Sequence, residues 1–244
     1  MYSLHEYIIE KLHLNKDIKT EHKYTFAGYE IAPGNVVYRH NKLKNAESWE
    51  ESSNLLSISG MTADSTFFSF EELGKYFDGT QFDENNKVIE NKKTLDGGWR
   101  IPTRKEWENI MSNDRTGSIV NGKKNCCWSL VYFDDELSLV LYPDDEEIND
   151  VNATVFNNKN AKDNLDLKDA KAFIEQGCAI LGGHGYKGMK NFTGYGKIGL
   201  YTTADAHNSS TFYALIFEKG HLNNKLFCDT ISKFYQSFNV RLIR

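Results

Sequence analysis

Apolar residues at helical spacing open the chain. Leu4, Ile8 and Leu12 recur at i, i+4 and i+8, and Ser3 with Glu6 forms a capping-box pattern, so residues 3–14 are predicted as a short amphipathic helix. A helix this short is marginal alone and needs a surface for its stripe. That surface is either the protein's own core or another subunit. The polar run 15–23 reads as a connector. Two short strands are expected around the Pro33-Gly34 turn within residues 24–39. Ser69 and Glu72, followed by Leu73 and Phe77, predict a helix over 69–77, and the polar stretch 78–95 reads as an exposed hairpin or loop.

The clearest unit follows the Asp96-Gly97-Gly98 turn. Thr103 and Glu106 form a capping box, Trp107, Ile110 and Met111 supply an apolar face, and Pro102 holds Ile101 extended just outside the helix. Strands are then expected near 126–133, 137–142 and 153–156. A helix is expected over 166–176, capped by Asn164 or Asp166 and stopped at Gly177. Alternating strands at 199–203, 211–218, 226–230 and 238–244 close the chain.

Composition narrows the class. The chain has 244 residues, is 40% hydrophobic, 13% aromatic and 26% charged, and carries a net charge of -5. These are the fractions of a folded globular protein. The acidic balance argues against a nucleic-acid partner, and with no apolar run of about 18–20 residues it also argues against membrane insertion. The opening residues lack the basic start and apolar run of a secretory signal, so the expectation is synthesis in the cytoplasm without a signal peptide. Cys126, Cys127, Cys178 and Cys228 form no C-x-x-C pair, and the expectation is four reduced, buried thiols.

The order of motifs resembles the C-type-lectin-like fold found in formylglycine-generating enzymes, in variable proteins of diversity-generating retroelements, and in paralogous surface domains of Bacteroidetes and Fibrobacter. Gly98-Trp99-Arg100-Ile101-Pro102-Thr103 through Glu106-Trp107 is similar to that family's GWRLPT…EW signature. Leu141 to Asp145 resembles its L-x-P-D turn, Ala179 to Tyr186 its LPAAGYR strand, Gly199 to Ala204 its G-x-Y-W-S-S strand, and Phe238 to Arg244 its terminal SVRLVR strand. The match is good over residues 95–244 and weak over 24–94. It implies an α+β domain spanning 24–244, with short antiparallel strands, two or three helices and long loops, preceded by an N-terminal helix and linker over 1–23. The leader helix resembles those of some Bacteroidetes phage proteins.

The closely spaced cysteine pair of formylglycine-generating activity is missing, which points away from an enzyme. In the retroelement relatives the last strands and their loops present side chains to ligands. That places a recognition surface on 204–236, with Asp205, His207, Asn208, Tyr213, His221, Asn223, Asn224, Phe234 and Tyr235 as its ligand-binding candidates. Tyr and Asn there offer stacking area and adaptable hydrogen bonds suited to a glycan or a host-surface protein. No cofactor is expected. The one metal candidate is calcium at Asp144, Asp145, Asn149 and Asp150, a run that is otherwise a solvated acidic loop. Leu4, Ile8 and Leu12 are the assembly candidates, toward other virion subunits or further copies of the chain. The expectation is a non-enzymatic phage virion component or adhesin. The alternatives are an enzyme on the same fold, with a site around Cys178, Cys228 or His184, and a purely structural capsid or tail decoration protein.

Overall fold

The structure, a computed structural model, describes residues 23–39, 42–46, 68–69, 73, 80–82, 88–91, 97–151, 164–187, 192–208, 210–218, 231–232 and 237–244. Residues 1–22, with Leu4, Ile8 and Leu12, lie outside the described residues, as do 153–156 and 226–230.

The strands are short and mostly antiparallel. β1 (Val36–Arg39) pairs with β2 (Lys42–Asn45), and β3 (Phe68–Ser69) precedes a second hairpin of β4 (Thr80–Phe82) and β5 (Val88–Asn91). Helix α1 (Arg104–Ile110) leads to β6 (Ser118–Val120), β7 (Lys123–Cys126), β8 (Trp128–Phe133), β9 (Glu136–Leu141) and β10 (Glu147–Ile148). Then come β11 (Asn164–Leu165), α2 (Leu167–Glu175), β12 (Ala179–Gly182), β13 (Tyr186–Lys187) and β14 (Phe192–Thr193). The long hairpin of β15 (Ile198–Ala206) and β16 (Thr211–Glu218) is followed by β17 (Ile231–Ser232) and β18 (Ser237–Phe238). The molecule is α+β; among the described strands the parallel pairings are the two-residue ones of β10 with β6 and β11 with β8.

The sheet ordered β11-β8-β9-β12 divides the interior. Strand alternation sends Leu130, Leu139 and Leu181 to one face, against Trp107 and Ile110 of α1 and Tyr201, Leu215 and Phe217 of the long hairpin. The other face carries Val131, Phe133, Val140 and Ile180 against Ala170 and Phe173 of α2. Both faces are covered, which is why β8 and β9 read as nearly continuous apolar runs. Their turns are two-residue connections with left-handed backbone: Asn121-Gly122 between β6 and β7, and Asp134-Asp135 between β8 and β9.

Both helices start where their caps predict. The Thr103 hydroxyl accepts from the Glu106 amide and the Glu106 carboxylate accepts from the Thr103 amide; Asp166 and Asp169 do the same for α2. Asn164, the other candidate cap, is in β11. Gly177 follows α2 with φ +88°, the left-handed stop expected there.

One expectation is corrected. Residues 24–39 do not fold as two strands around Pro33-Gly34. The chain turns earlier, at Ala27-Gly28, where Phe26 and Tyr29 bridge, and Ile31 pairs with Ile243. The distant C-terminal segment outcompetes the local turn: the amides of Glu30, Ala32 and Val36 donate to the carbonyls of Arg244, Leu242 and Val240. Ser69 pairs with Ser237 in strand β3 and Leu73 is helical and buried, while the rest of the helix expected over 69–77 lies outside the described residues.

Arg241, fully buried, locks that C-terminal segment. Its guanidinium donates to Asn35 Oδ1 at 3.0 Å, to the Ala32 carbonyl at 2.8 Å and to the Ile180 carbonyl at 2.6 Å. Three elements far apart in sequence therefore share one buried cation that is satisfied by uncharged acceptors.

Candidate functional site

The end of the long hairpin meets the start of α1. Register slips between Thr202 and Ala206, where three residues of β15 face Tyr213 alone on β16. The bulge is held by the Thr203 hydroxyl, which donates to the Tyr213 carbonyl at 2.7 Å. It presents Asp205 to the helix, and the Arg104 amide donates to the Asp205 carboxylate. Asp205 thereby takes up an amide of the first turn that has no partner within the helix.

Arg104 connects helix and hairpin a second time. Its guanidinium lies 4.7 Å from the centre of the Tyr213 ring, and its Nε donates to Glu108 Oε1 at 2.7 Å, one turn along. The Tyr213 hydroxyl shares a 2.8 Å hydrogen bond with His207 Nδ1, and the two rings meet edge to face at 5.1 Å. Glu108, Arg104, Tyr213 and His207 thus form one continuous chain of contacts, with His207 exposed at its end. Burial raises the Asp205 carboxyl above the ordinary aspartate range, and Glu106 and Glu108 add to the rise against the opposing Arg104 amide and charge. A carboxyl perturbed by burial and neighbouring charge, beside a half-buried tyrosine and arginine and an exposed histidine, makes this surface a candidate functional site.

The base of α1 is fixed by a different pair. Arg100 clamps Glu106 through two bonds of 2.8 and 2.5 Å, and Glu106 also accepts from the Thr103 amide at 2.7 Å. Burial pushes the Glu106 carboxyl upward, but these donors outweigh it and hold it below the usual glutamate range. The helix that carries Arg104 and Glu108 is therefore braced at its first turn.

Of the predicted ligand-binding residues, the structure gathers Asp205, His207 and Tyr213 into this cluster. Asn208 sits beside them but shapes the loop, its Oδ1 accepting from the Ser210 amide at 2.7 Å and the Thr211 amide at 2.9 Å. His221, Asn223, Asn224, Phe234 and Tyr235 lie outside the described residues. Sequence reasoning missed Arg104 and Glu108, because they fall in a motif read as core packing. The available signal was their i, i+4 spacing on the flank of α1 beside the Trp107 and Ile110 face.

The calcium candidates are dispersed in role. Asp144 faces inward: its carboxylate accepts from the Thr25 hydroxyl and the Ala27 and Gly28 amides, each at 3.1 Å, and from Arg115 Nη1 at 2.5 Å. Both oxygens are engaged, and the charge is matched by a guanidinium. Asp145 and Asp150 are exposed at left-handed positions (φ 56° and 59°), and the Asn149 amide donates to Gln176 Oε1. Among the described residues, no group of three or more His, Cys, Asp or Glu side chains is placed to hold a metal ion.

Cys126, Cys127 and Cys178 are buried free thiols, and Cys228 lies outside the described residues. Burial pushes all three described thiols up, away from the thiolate form. His184 is fully buried, and burial together with the Arg241 charge lowers it to about 3, so its ring is neutral. Among the described residues, no helix is long and apolar enough to cross a membrane. No family model, curated protein or solved structure matches this chain.

Proposed function

We propose that the protein is a non-enzymatic binding protein that displays a C-type-lectin-like domain for glycan or host-surface recognition. The observation that carries this reading is the chain Glu108–Arg104–Tyr213–His207, braced between a capped helix and the β15–β16 hairpin. A flat aromatic flanked by a guanidinium and an imidazole offers stacking and charged hydrogen bonds from a nearly fixed geometry, which limits the entropy lost on binding. The fold reading is supported by where the five motifs fall. They occupy the entry to α1, the turn after β9, the β12–β13 strands, β15 and the C-terminal segment of one α+β unit.

In this reading the protein is a phage virion component or adhesin. Residues 1–14 join it to other virion subunits or to further copies of itself, through Leu4, Ile8 and Leu12. Binding by the purified protein on a glycan array and to host cell surfaces tests the display role. Tyr213→Ala and Arg104→Ala are expected to lower binding at least about tenfold, the effect of losing one or two central contacts of roughly 1–3 kcal/mol each. The reading is refuted if wild-type binding stays at background, or if both variants bind as the wild type does.

A further inference from the structure

A groove of about 320 Å³ opens between the chain around Tyr24, the end of α2 and the start of β12. Tyr24 and Trp99 supply aromatic wall, and Ile31, Ile174 and Ile180 supply aliphatic wall. Ile174, at 37% exposure, is one of two large apolar side chains that the described residues leave in solvent. Both rings are set before anything binds. Tyr24 lies against Gly177, where an added Cβ would overlap its ring. Trp99 is covered by Arg244, whose guanidinium lies 4.4 Å from its ring centre. Among the described residues, Lys23 and Glu30 are the charged side chains that line the groove, and they are already engaged. Glu30 pairs with Lys23 at 3.3 Å and with Arg244 at 2.6 Å. Burial pushes the Glu30 carboxyl up, but these two cations outweigh it and hold it below the usual glutamate range.

We propose that this groove is a binding site for a small uncharged apolar molecule, of the size of two fused aromatic rings. Volume sets the size. An apolar cavity of about 150 Å³ takes up benzene, so a groove of about twice that volume accommodates a bicyclic ring system. The walls set the polarity, since aliphatic side chains and ring faces stabilise a ligand by burying its apolar surface. The rim sets the charge. A charged ligand would compete with the Lys23–Glu30–Arg244 pairing or enter the apolar floor without a counter-ion, and either lowers affinity. An uncharged one leaves that pairing intact. Because Tyr24 and Trp99 are held by Gly177 and Arg244, little wall has to be ordered on binding. The groove shares no residue with the Glu108–Arg104–Tyr213–His207 chain, so it is a second site, independent of the recognition surface.

A ligand-observed NMR titration of the full chain with naphthalene tests the proposal, with naphthoate and naphthylmethylammonium as charged analogues of the same ring system. Saturable one-to-one binding of naphthalene is expected, at least about tenfold tighter than that of either charged analogue. Ile174→Arg places a charge on the groove wall from an exposed helix position. It is expected to weaken naphthalene at least about tenfold while leaving the thermal midpoint unchanged. If Ile174→Arg fails to fold, Ile174→Trp, which fills the groove with apolar bulk, is expected to give the same loss. No saturable binding by the wild type, equal or tighter binding of a charged analogue, or unchanged naphthalene affinity in the variant that folds each overturns the proposal. A wild-type dimer that forms with rising concentration and is lost in Ile174→Arg would assign the groove to a second copy of the chain, and overturns it as well.

Discussion

Removing the Asp144 carboxylate isolates what this residue does. Asp144→Ala takes away the counter-charge of Arg115, whose side chain is only 4% exposed, and orphans the donors of Thr25, Ala27 and Gly28. Breaking a buried ion pair from one side costs about 3–5 kcal/mol, because a charge is left in the interior. Arg115 keeps its bonds to the Cys127 carbonyl at 2.9 Å and the Tyr142 carbonyl at 2.7 Å, which places the expected loss near the lower end, about 3 kcal/mol. Asp144→Asn retains an acceptor and should lose less. Arg115→Met in the Asp144→Ala background removes the stranded charge and should recover part of the loss. Urea unfolding at neutral pH, read as a shift in midpoint at constant slope, gives each value and the coupling between the two sites. The same experiment with added calcium addresses the acidic loop directly. If Asp144 is committed to these internal donors, millimolar calcium leaves the wild-type midpoint unchanged. A loss below about 1 kcal/mol for Asp144→Ala, strict additivity with Arg115→Met, or a calcium-dependent midpoint would each refute the reasoning.

Three other perturbations probe the titrating groups and the backbone. Asp205 has a raised carboxyl in the fold, so its favourable contribution is complete below the ordinary aspartate value of 3.8 and is lost as pH rises through the higher folded value. Wild type should therefore gain stability relative to Asp205→Asn on acidification, measured as paired urea midpoints; a difference that does not change with pH contradicts this. His184 is lowered from 6.5 to about 3, so its contribution is present above 6.5 and is lost as pH falls from there towards 3. His184→Gln should flatten the fall in thermal midpoint across that window, and an unaltered slope would exclude His184 as its source. Gly177→Ala should cost about 1–3 kcal/mol, since φ is +88° and a Cβ would overlap the Tyr24 ring; a neutral result in the same unfolding assay would mean that the ring moves aside freely.

The sequence carried what local chemistry decides. Thr103 with Glu106 sets the start of α1, Asp166 is one of the two residues expected to cap α2, and Gly177 marks its stop, where the backbone is left-handed. What it did not carry is decided by partners far along the chain. Residues 24–32 had the composition of a strand leading to the Pro33-Gly34 turn, but the amides of Glu30 and Ala32 donate to Arg244 and Leu242, more than 200 positions away. Asp144 read as a calcium ligand because its neighbours are acidic, yet its charge is matched by Arg115, which the sequence places 29 positions earlier. At the site, Asp205, His207 and Tyr213 were legible as a polar and aromatic hairpin end. Arg104 was not, because its contact with Tyr213 exists only once α1 is packed on the β15–β16 ribbon.

That packing would tie the proposed recognition role to stability in a specific way. On α1, Trp107 and Ile110 face the core while Arg104 and Glu108 face the hairpin end, so seven residues supply both the apolar anchor and the charged wall of the site. The anchor is deep: both apolar side chains are fully buried, and the Arg100–Glu106 clamp fixes the first turn. The charged wall costs little to change, because ion pairs with exposed partners contribute roughly 0–1 kcal/mol. Substitutions at Arg104, Glu108, Tyr213 or His207 can therefore alter what the surface contacts without unfolding its support. By contrast, changes at Trp107 or Glu106 would move every contact residue together. A surface built this way can vary in chemistry while its geometry stays constant, which is what the proposed display role would require.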